Sequence, residues 1–286
     1  MKKVLVTGGN GQLGNCLREV LERETGIEAV FTDVAELDIT NPEAVDKFVG
    51  DLRPDYIVNC AAYTAVDKAE SEDSQAARLN TEAVGNIAKA AARHNARVIH
   101  ISTDYVFAGD SHRPYAENDE PYPQSIYGRT KLEGEGVLKA FCPDCIIIRT
   151  AWLYSEYGGN FVKTMLRIGG ATKSIRVVSD QIGTPTYAGD LAECIRTIIL
   201  KDNPSAGIYH FTNEGVASWY DFAKAIFRLS GMEEEVEVTP IGSEEYPTPA
   251  RRPLYSVLNK RKIKETFNIN IPYWENSLKK CLKQMK

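Results

Sequence analysis

The sequence predicts an α/β protein with a doubly wound parallel sheet of the Rossmann type and a second, smaller domain of mixed α/β structure. Short apolar runs alternate with helical patterns over the first half of the chain, which is typical of a parallel sheet with helices on both faces. A glycine-rich turn joins the first apolar run to the first helical pattern. The alternation loosens from about residue 151, so we expect one domain over residues 1–150 and another over residues 151–286. This division leaves room for one or more segments of residues 151–286 to belong structurally to the first domain.

Hydrophobic periodicity defines the elements of the first half. The helical patterns are QLGNCLREVLERE, NPEAVDKFVGDLR with Asn41 as N-cap and Pro42 at the first helical position, a long stretch from about Asp73 to His94, and a segment around SIYGRTK that follows a polar, proline-rich loop. The predicted strands are KKVLVTG, EAVFTDV, DYIVNCAA, ARVIHIST and CIIIRTAWLY.

The second half has a less regular order of elements. We predict helices over NFVKTMLRI, TYAGDLAECIRTIIL and SWYDFAKAIFRLSG, the last capped by Ser218 and ended by Gly231. Strands are expected over SIRVVSDQ and GIYHFTN. The tail contains PTPARRPLYSVLNKRK, which is rich in proline and basic residues.

Composition excludes several classes of function. The net charge of −5 disfavours nucleic acid or an anionic membrane as a partner. The apolar run in MKKVLVTGG is too short for a signal or a membrane-spanning helix, so we expect a cytoplasmic protein. The six cysteines are scattered, and the C-x-x-C of FCPDC leads into a strand where a redox site would open a helix. No second pair completes a zinc site, and we predict no metal.

A glycine loop directly follows the first strand. VLVTGGNGQLG places Gly8, Gly11 and Gly14 three residues apart, where they permit a sharp turn and close approach of a pyrophosphate to the helix N-terminus. Asp33 ends the second strand about 20 residues further on, where a carboxylate accepts hydrogen bonds from an adenosine ribose. A carboxylate there favours NADH over NADPH, because a 2′-phosphate would meet its charge. Residues 1–150 are therefore predicted to be a dinucleotide-binding domain.

Other strand ends offer compatible chemistry, since ligands of open parallel sheets lie beyond the carboxyl ends of the strands. Asp38 and Ile39 are expected to border the adenine, and the small side chains of Ala61 and Ala62 allow close approach of the cofactor. The fourth strand ends in a hydroxyl at Thr103 that would project toward the same crevice.

Tyrosine and lysine are spaced four apart at two places. Tyr127 precedes Lys131 in SIYGRTK, and Tyr220 precedes Lys224 in WYDFAK, so each pair would share one helix face. Spacing alone does not separate a proton-transfer pair from a structural one. Position does, because only the first pair follows a glycine loop, a ribose-facing acid and a hydroxyl-tipped strand.

The motifs TGGNGQLG, NCAA, ISTD and YGRTK together resemble the extended branch of the short-chain dehydrogenase/reductase superfamily. Reduction of a ketone by hydride makes an alkoxide that needs a proton. The resemblance implies that Tyr127 supplies this proton, with Thr103 aligning the oxygen. Lys131 would hold the nicotinamide ribose and, as an adjacent cation, lower the pKa of the phenol from about 10.

Six longer blocks are similar to the dTDP-4-dehydrorhamnose reductase family: NCAAYTAVDKAE, STDYVF, YGRTKLEGE, RTAWLY with GGNFVKTML, DQIGTPTYAGDLA and ARRPLYSVLN. The resemblance implies NADPH- or NADH-dependent reduction of the C4 keto group of dTDP-4-dehydro-β-L-rhamnose to dTDP-L-rhamnose, for rhamnose-containing polysaccharides. Residues 151–286 would then mainly bind the sugar nucleotide. The chain is expected to be a monomer or homodimer. Some family members are described as metal-dependent dimers, but the loop here leads into Asn15 and Cys16, so no metal is carried over.

The resemblance and the residue chemistry together assign the sites. Trp152 offers an aromatic surface, and an arginine such as Arg252 suits phosphate because its fork donates bidentately. Asp67 is left unassigned. The catalytic residues are Thr103, Tyr127 and Lys131; the cofactor-binding residues are Gly8, Gly11, Gln12, Leu13, Gly14, Asp33, Asp38, Ile39, Ala61, Ala62, Tyr63, Tyr127 and Lys131; the substrate-binding residues are Thr103, Asp104, Trp152, Asn160, Phe161 and Arg252.

Two other functions stay open. A nucleotide-sugar epimerase or dehydratase of the same superfamily would share the tyrosine and lysine but keep NAD tightly bound. A non-catalytic regulatory protein, like the β subunit of methionine adenosyltransferase, would have no need of the complete set Thr103, Tyr127 and Lys131.

Overall fold

The computed structural model describes residues 1–285. Its centre is a six-stranded sheet in the order β10-β5-β4-β3-β1-β2, and every neighbouring pair is parallel. The strands of the chain are β1 (Lys2–Thr7), β2 (Ile27–Thr32), β3 (Tyr56–Asn59), β4 (Arg97–Thr103), β5 (Ile146–Thr150), β6 (Leu153–Tyr154), β7 (Ser174–Val178), β8 (Ile182–Gly183), β9 (Thr186–Tyr187), β10 (Gly207–His210), β11 (Ala217–Ser218) and β12 (Glu237–Ile241).

The helices cover both faces of this sheet, which confirms the doubly wound prediction. They are α1 (Gln12–Leu21), α2 (Pro42–Leu52), α3 (Val66–Ala69), α4 (Asp73–Ala77), α5 (Ala83–His94), α6 (Ile126–Phe141), α7 (Phe161–Gly169), α8 (Ala188–Leu200), α9 (Trp219–Ser230), α10 (Arg261–Phe267) and α11 (Trp274–Gln284). Apolar side chains of α1, α8 and α10 pack on one face of the sheet. Those of α2, α5 and α6 pack on the other.

The order of the strands places the ligand crevice. β1 lies between β2 and β3, so the chain runs outward in one direction after β1 and then restarts on its other side. The gap between the carboxyl ends of β1 and β3 is therefore the topological switch point, where open α/β sheets bind ligands. The glycine loop follows β1 and the Ala61–Ala62 pair follows β3, so both predicted features meet at this point.

The second half of the chain contributes to two structures. Strands β7 and β12 pair in parallel, and the two-residue strands pair as β6 with β9 and β8 with β11. Helices α7, α9 and α11 pack together around the side chains of Phe222, Trp274 and their neighbours. However, β10 pairs with β5 in the central sheet and α8 packs against α1. The sheet layer thus contains residues from both predicted ranges, and the division at residue 150 stays a prediction.

Most predicted elements are present, with local differences. Asn41 caps α2 by accepting a hydrogen bond from the Ala44 amide at 3.0 Å, and Ser218 caps α9 in a reciprocal capping box. The long helical stretch contains a π-helical turn over Arg78–Glu82 between α4 and α5. The prediction of one strand over CIIIRTAWLY is wrong. Trp152 has φ of +48°, and this left-handed turn separates β5 from β6.

Within residues 1–285, every helix is too short or too polar to cross a membrane.

Candidate active site

A cleft of about 820 Å³ lies beyond the carboxyl ends of the central strands. It runs from the glycine loop, past the ends of β3 and β4, to the tail segment around Arg252. Two predicted site residues do not line it, namely Tyr63 and Phe161. The predicted residues that line it are Gly8, Gly11, Gln12, Leu13, Gly14, Asp33, Asp38, Ile39, Ala61, Ala62, Thr103, Asp104, Tyr127, Lys131, Trp152, Asn160 and Arg252.

The glycine loop is packed too closely for any larger residue. A Cβ at Gly14 would lie 2.4 Å from the Gly8 carbonyl oxygen, and one at Gly8 would lie 2.7 Å from the Ala61 amide nitrogen. Gly8 also has φ of +69°, which disfavours other residues. Gly11 caps α1 without a side-chain hydrogen bond, so the first amides of α1 face the cleft without a capping group. This cradle fits the pyrophosphate of a dinucleotide.

Two carboxylates lie at the adenosine end of the cleft. Asp33 accepts hydrogen bonds from the amides of Asn10 at 3.0 Å and Val34 at 2.8 Å, so its position is fixed by backbone groups. Asp38 accepts from both the hydroxyl and the amide of Thr40, and these hydrogen bonds hold the pKa of Asp38 below its usual value. Asp33 is thus oriented by the backbone and Asp38 is held in its ionised form, and a ribose hydroxyl needs a carboxylate acceptor of this kind.

Three side chains meet at the end of β4. Ser125 caps α6 by accepting from the Gly128 amide at 3.1 Å, and this cap sets Tyr127 at the start of the helix. Tyr127 and Thr103 both line the cleft there, and Thr103 is near enough to influence the pKa of the Tyr127 phenol. Lys131 donates from Nζ to the Ile101 carbonyl at 2.7 Å. The structure therefore brings the predicted catalytic residues together from β4 and α6.

Burial dominates the electrostatics of this centre. It raises the pKa of Tyr127, and the neighbouring Thr103 hydroxyl only partly offsets the rise. It lowers the pKa of Lys131 to about 8, against the opposing charge of Glu135. The prediction that Lys131 lowers the pKa of Tyr127 is wrong for this geometry, because the loss of hydration outweighs any attraction to an ammonium bonded to Ile101. Tyr127 is thus held in its protonated form, ready to donate.

Asp104 is a buried acid beside this centre. It is 3% exposed, and burial raises its pKa to about 6, while hydrogen bonds with Ser256 and Thr103 oppose the rise. Thr103 donates from Oγ1 to Asp104 Oδ1 at 3.0 Å, and Oδ2 has no partner. An unpartnered buried oxygen next to reacting groups is chemically available to a ligand hydroxyl.

Trp152 and Trp219 form an aromatic stack in the cleft, with ring centroids 3.6 Å apart and an interplanar angle of 10°. A Cβ at Gly183 would lie 2.7 Å from Trp152 Cε2, so the glycine lets the indole lie against the backbone. Trp152 is thus covered on the sides of Trp219 and Gly183. Trp219 was not predicted as a site residue, because only packing between α9 and the β5–β6 turn brings it to the cleft.

Asn160 and Phe161 have structural contacts that the sequence did not indicate. Asn160 caps α7 by accepting from the Lys163 amide at 3.1 Å, and its amide group donates to Gln12 Oε1 at 2.9 Å. It therefore ties the second half of the chain to the glycine loop. Phe161 lies 4.6 Å from Trp219 between ring centroids and packs with Phe222. Phe161 supports the aromatic stack from behind the cleft.

The remaining predicted residues lie at the edges. Tyr63 donates from its hydroxyl to Glu72 and from its amide to Asn80 Oδ1 at 2.9 Å, away from the lining of the cleft. Arg252 forms an ion pair with Asp67, at 2.6 Å between Nη2 and Oδ2. Tyr105 also lines the cleft and was not predicted.

The cysteines of FCPDC are ordinary buried thiols. Burial raises the pKa of both Cys142 and Cys145 to about 11, which disfavours the thiolate that redox chemistry needs. Across the part of the chain that the structure describes, no group of three or more His, Cys, Asp or Glu side chains is arranged to hold a metal ion.

Comparison with known proteins gives one consistent result. The family model of the RmlD substrate binding domain matches residues 1–286. A dTDP-4-dehydrorhamnose reductase of Aggregatibacter actinomycetemcomitans is 44% identical over 287 residues, covering 98% of each chain. Two solved structures of such reductases superpose over 99% of both chains. That of Clostridium acetobutylicum has a TM-score of 0.94 and 46% identity. That of Bacillus anthracis, in complex with NADP, has a TM-score of 0.95 and 41% identity.

The family match spans the whole chain and includes both the glycine loop and the Tyr127–Lys131 helix. The chain therefore belongs to the dTDP-4-dehydrorhamnose reductase family.

Proposed function

We propose that this protein reduces the C4 keto group of dTDP-4-dehydro-β-L-rhamnose, with NADPH or NADH, to give dTDP-L-rhamnose. The observation that supports this most is that Thr103, Tyr127 and Lys131 line the same cleft as the glycine loop. A hydride donor and a proton donor would therefore reach one carbonyl from a single cleft. The relatives with this name cover nearly the whole chain.

Each residue of the centre has a distinct role in this proposal. A bound nicotinamide dinucleotide supplies the hydride. Thr103 turns its hydroxyl hydrogen from Asp104 to the keto oxygen and aligns it, and Tyr127 transfers its phenolic proton to the same oxygen. Lys131, with its ammonium anchored on the Ile101 carbonyl, holds the nicotinamide ribose of the cofactor. The raised pKa of Tyr127 keeps the proton in place until negative charge develops on the substrate oxygen.

The remaining cleft residues bind and orient. The amides at the start of α1 receive the pyrophosphate of the cofactor, and Asp33 accepts from its adenosine ribose. Asp104, the Trp152–Trp219 stack and Arg252 contact the sugar nucleotide. Asn160 acts through Gln12 and helix α7 by holding the two halves of the cleft together. The protein works as a monomer or homodimer in the cytoplasm.

The central test is oxidation of NADPH and of NADH with dTDP-4-dehydro-L-rhamnose, each with and without EDTA. We expect turnover in both EDTA conditions, since no metal is assigned a role. Absence of cofactor consumption would refute the function. Purified protein that holds NAD and needs no added reductant would favour the epimerase or dehydratase. Loss of another enzyme's activity on deletion, without ketone reduction, would favour the regulatory protein.

Substitution of the proton donor tests the mechanism. Tyr127→Phe removes the phenolic proton and keeps the ring, so turnover should fall by about 10² to 10⁴ while NADPH binding is largely retained. Tyr220→Phe is the matched control, because Tyr220 packs against the hydrophobic cluster of α9 and lies outside the cleft. Near-normal turnover of Tyr127→Phe would overturn the proton-donor role.

A further inference from the structure

Residues 250–258, which we call the clasp segment, connect the two halves of the molecule across the cleft. The Ala250 amide donates to Asp67 Oδ1 at 3.3 Å. The Tyr255 amide donates to the Gly109 carbonyl at 2.9 Å, and the Ser256 amide donates to the Ile182 carbonyl at 2.8 Å. The clasp segment is therefore hydrogen-bonded to helix α3, to the loop after β4 and to the small strand β8.

Arg252 is the member of the clasp segment whose charge faces the cleft. Its Nη2 donates to Asp67 Oδ2 at 2.6 Å and its Nη1 donates to the Tyr105 hydroxyl at 2.9 Å. A guanidinium has five N–H groups, so three remain for a ligand. The side chain is 24% exposed and lines the cleft. Arg252 is thus held on one side and open on the other.

Asp67 makes both of its hydrogen bonds to the clasp segment. One carboxylate oxygen accepts from the Ala250 amide and the other from Arg252. Asp67 itself does not line the cleft, although its neighbour Val66 does. The carboxylate therefore stands behind the guanidinium as seen from the ligand, where it fixes the fork without touching the substrate.

Tyr105 extends this arrangement to the reacting centre. Its hydroxyl accepts from Arg252, and its ring lies edge-on to Tyr127 with centroids 5.5 Å apart and an interplanar angle of 75°. Its amide donates to Thr103 Oγ1 at 3.2 Å. A change in the position of Arg252 would consequently move Tyr105, which contacts both Tyr127 and Thr103.

We propose that Asp67 is a positioning residue that fixes the Arg252 guanidinium for the diphosphate of the sugar nucleotide. The inference rests on the proposed function, because it takes the diphosphate as the anion that reaches the cleft. Arginine suits this anion, since its planar fork donates two parallel hydrogen bonds to phosphate oxygens. The carboxylate already restricts the rotamers of the arginine in the free protein, so binding the ligand costs little further side-chain entropy. Ordering a free side chain on binding would instead weaken the affinity by roughly two- to twelvefold.

Simple charge repulsion predicts the opposite sign. If Asp67 acted only as a negative charge near the diphosphate, its removal would strengthen binding. If it acts by orienting Arg252, its removal weakens binding, and only while Arg252 is present. The sign of the change and its dependence on Arg252 therefore decide between the two.

The test is calorimetric binding of dTDP and of thymidine to the full chain and its variants. Asp67→Ala should weaken dTDP binding roughly three- to tenfold, which is the ordering cost expressed as an affinity change. Thymidine, which has no phosphate, should bind as before. In the Arg252→Ala background, Asp67→Ala should have no further effect on dTDP. The affinity for NADPH, which has its own phosphate cradle, should stay unchanged.

Matched variants guard against a purely structural effect. Glu275→Ala breaks the ion pair of Arg228 and Glu275, at 2.7 Å between α9 and α11, and should leave dTDP affinity unchanged. Asp67→Asn keeps the side-chain shape and one acceptor, so it replaces the alanine variant if that one does not fold, with the same weakening expected.

Three outcomes would overturn the inference: tighter or unchanged dTDP binding in Asp67→Ala, an equal loss for thymidine, or additive losses in the double variant. Because the experiment measures binding and not turnover, failure of this inference can be distinguished from failure of the proposed function. A wild-type chain that binds dTDP without reducing the ketone refutes the function alone. A wild-type chain that turns over while Asp67→Ala binds dTDP normally refutes the inference alone.

Discussion

Asp104→Asn should stabilise the protein while impairing its site. The carboxylate is buried, one of its oxygens has no hydrogen-bond partner, and burial raises its pKa from 3.8 to about 6. An acid whose pKa is raised on folding destabilises the native state at any pH where the unfolded chain would be ionised. Asparagine keeps the shape and the acceptor for Thr103 but has no charge to bury.

The magnitude follows from the difference between the two pKa values. At about 1.36 kcal/mol for each pKa unit, the burial of charge costs on the order of 3 kcal/mol at pH 8. The linkage relation reduces this to about half at pH 5, because the folded protein then holds a proton that the unfolded chain does not. An unpaired amide N–H in the variant replaces an unpaired oxygen, so the lost hydrogen bonding roughly cancels.

Thermal and urea unfolding of both proteins at pH 8 and pH 5 measure the effect. We expect the variant to melt several degrees higher at pH 8, since about 1 kcal/mol is worth about 2–4 °C in a chain of about this length. The advantage should shrink at pH 5. Asp119→Asn provides the contrast, because the two hydrogen bonds from Arg113 hold the pKa of Asp119 below its usual value. That variant should be destabilised, and its deficit should vanish as the pH falls.

Two results would refute this reasoning. One is an Asp104→Asn variant that is no more stable than the wild type at pH 8. The other is a stabilisation that does not change between pH 8 and pH 5, since a pH-independent gain would come from packing and not from the charge.

Two further predictions concern the cleft. Burial lowers the pKa of Lys131 to about 8, so the ammonium is lost as the pH rises above that value, and turnover should fall there. A pH–rate profile of the wild type and of Lys131→Met checks this, and an unchanged alkaline decline in the variant would exclude Lys131 as its cause. Gly183→Ala should raise KM for the sugar nucleotide and cost about 1–3 kcal/mol of stability, because its Cβ would lie 2.7 Å from Trp152 Cε2. Gly136→Ala is the control, since its Cβ would meet nothing within 4 Å on α6, and it should stabilise the protein by about 0.5–1 kcal/mol in the same unfolding assay.

Local patterns were sufficient for much of the fold. The glycine loop, the caps at Asn41 and Ser218, and the alternation of strands and helices depend on residues within one or two turns of each other. Such contacts are written directly in residue spacing. The break after Thr150 was not, because Trp152, which has the left-handed φ, packs its indole against Gly183, about 30 residues further along the chain.

The electrostatic prediction failed for a related reason. A tyrosine four residues before a lysine indicates that the two side chains are close, but it does not indicate how far they are removed from water. Loss of hydration is what sets the direction of the Tyr127 pKa shift. Burial of Tyr127 and the hydrogen bond from Lys131 to the Ile101 carbonyl exist only once β4 and α6 have packed together. The spacing in WYDFAK is identical to that in SIYGRTK, yet α9 brings Trp219 to the cleft and leaves Tyr220 against the core.

The sequence by itself determined the parallel α/β sheet and the glycine loop after its first strand, and it predicted Tyr127 as the proton donor, because each rests on a local period or a strand end. Only the tertiary structure decided that β10 joins the central sheet, that Trp219 stacks on Trp152, and that Asp67 holds Arg252 across 185 residues of chain. The physical reason is that these contacts form between distant segments whose meeting depends on how whole layers pack. The periodicity of residues within one segment does not specify which distant segment it will contact.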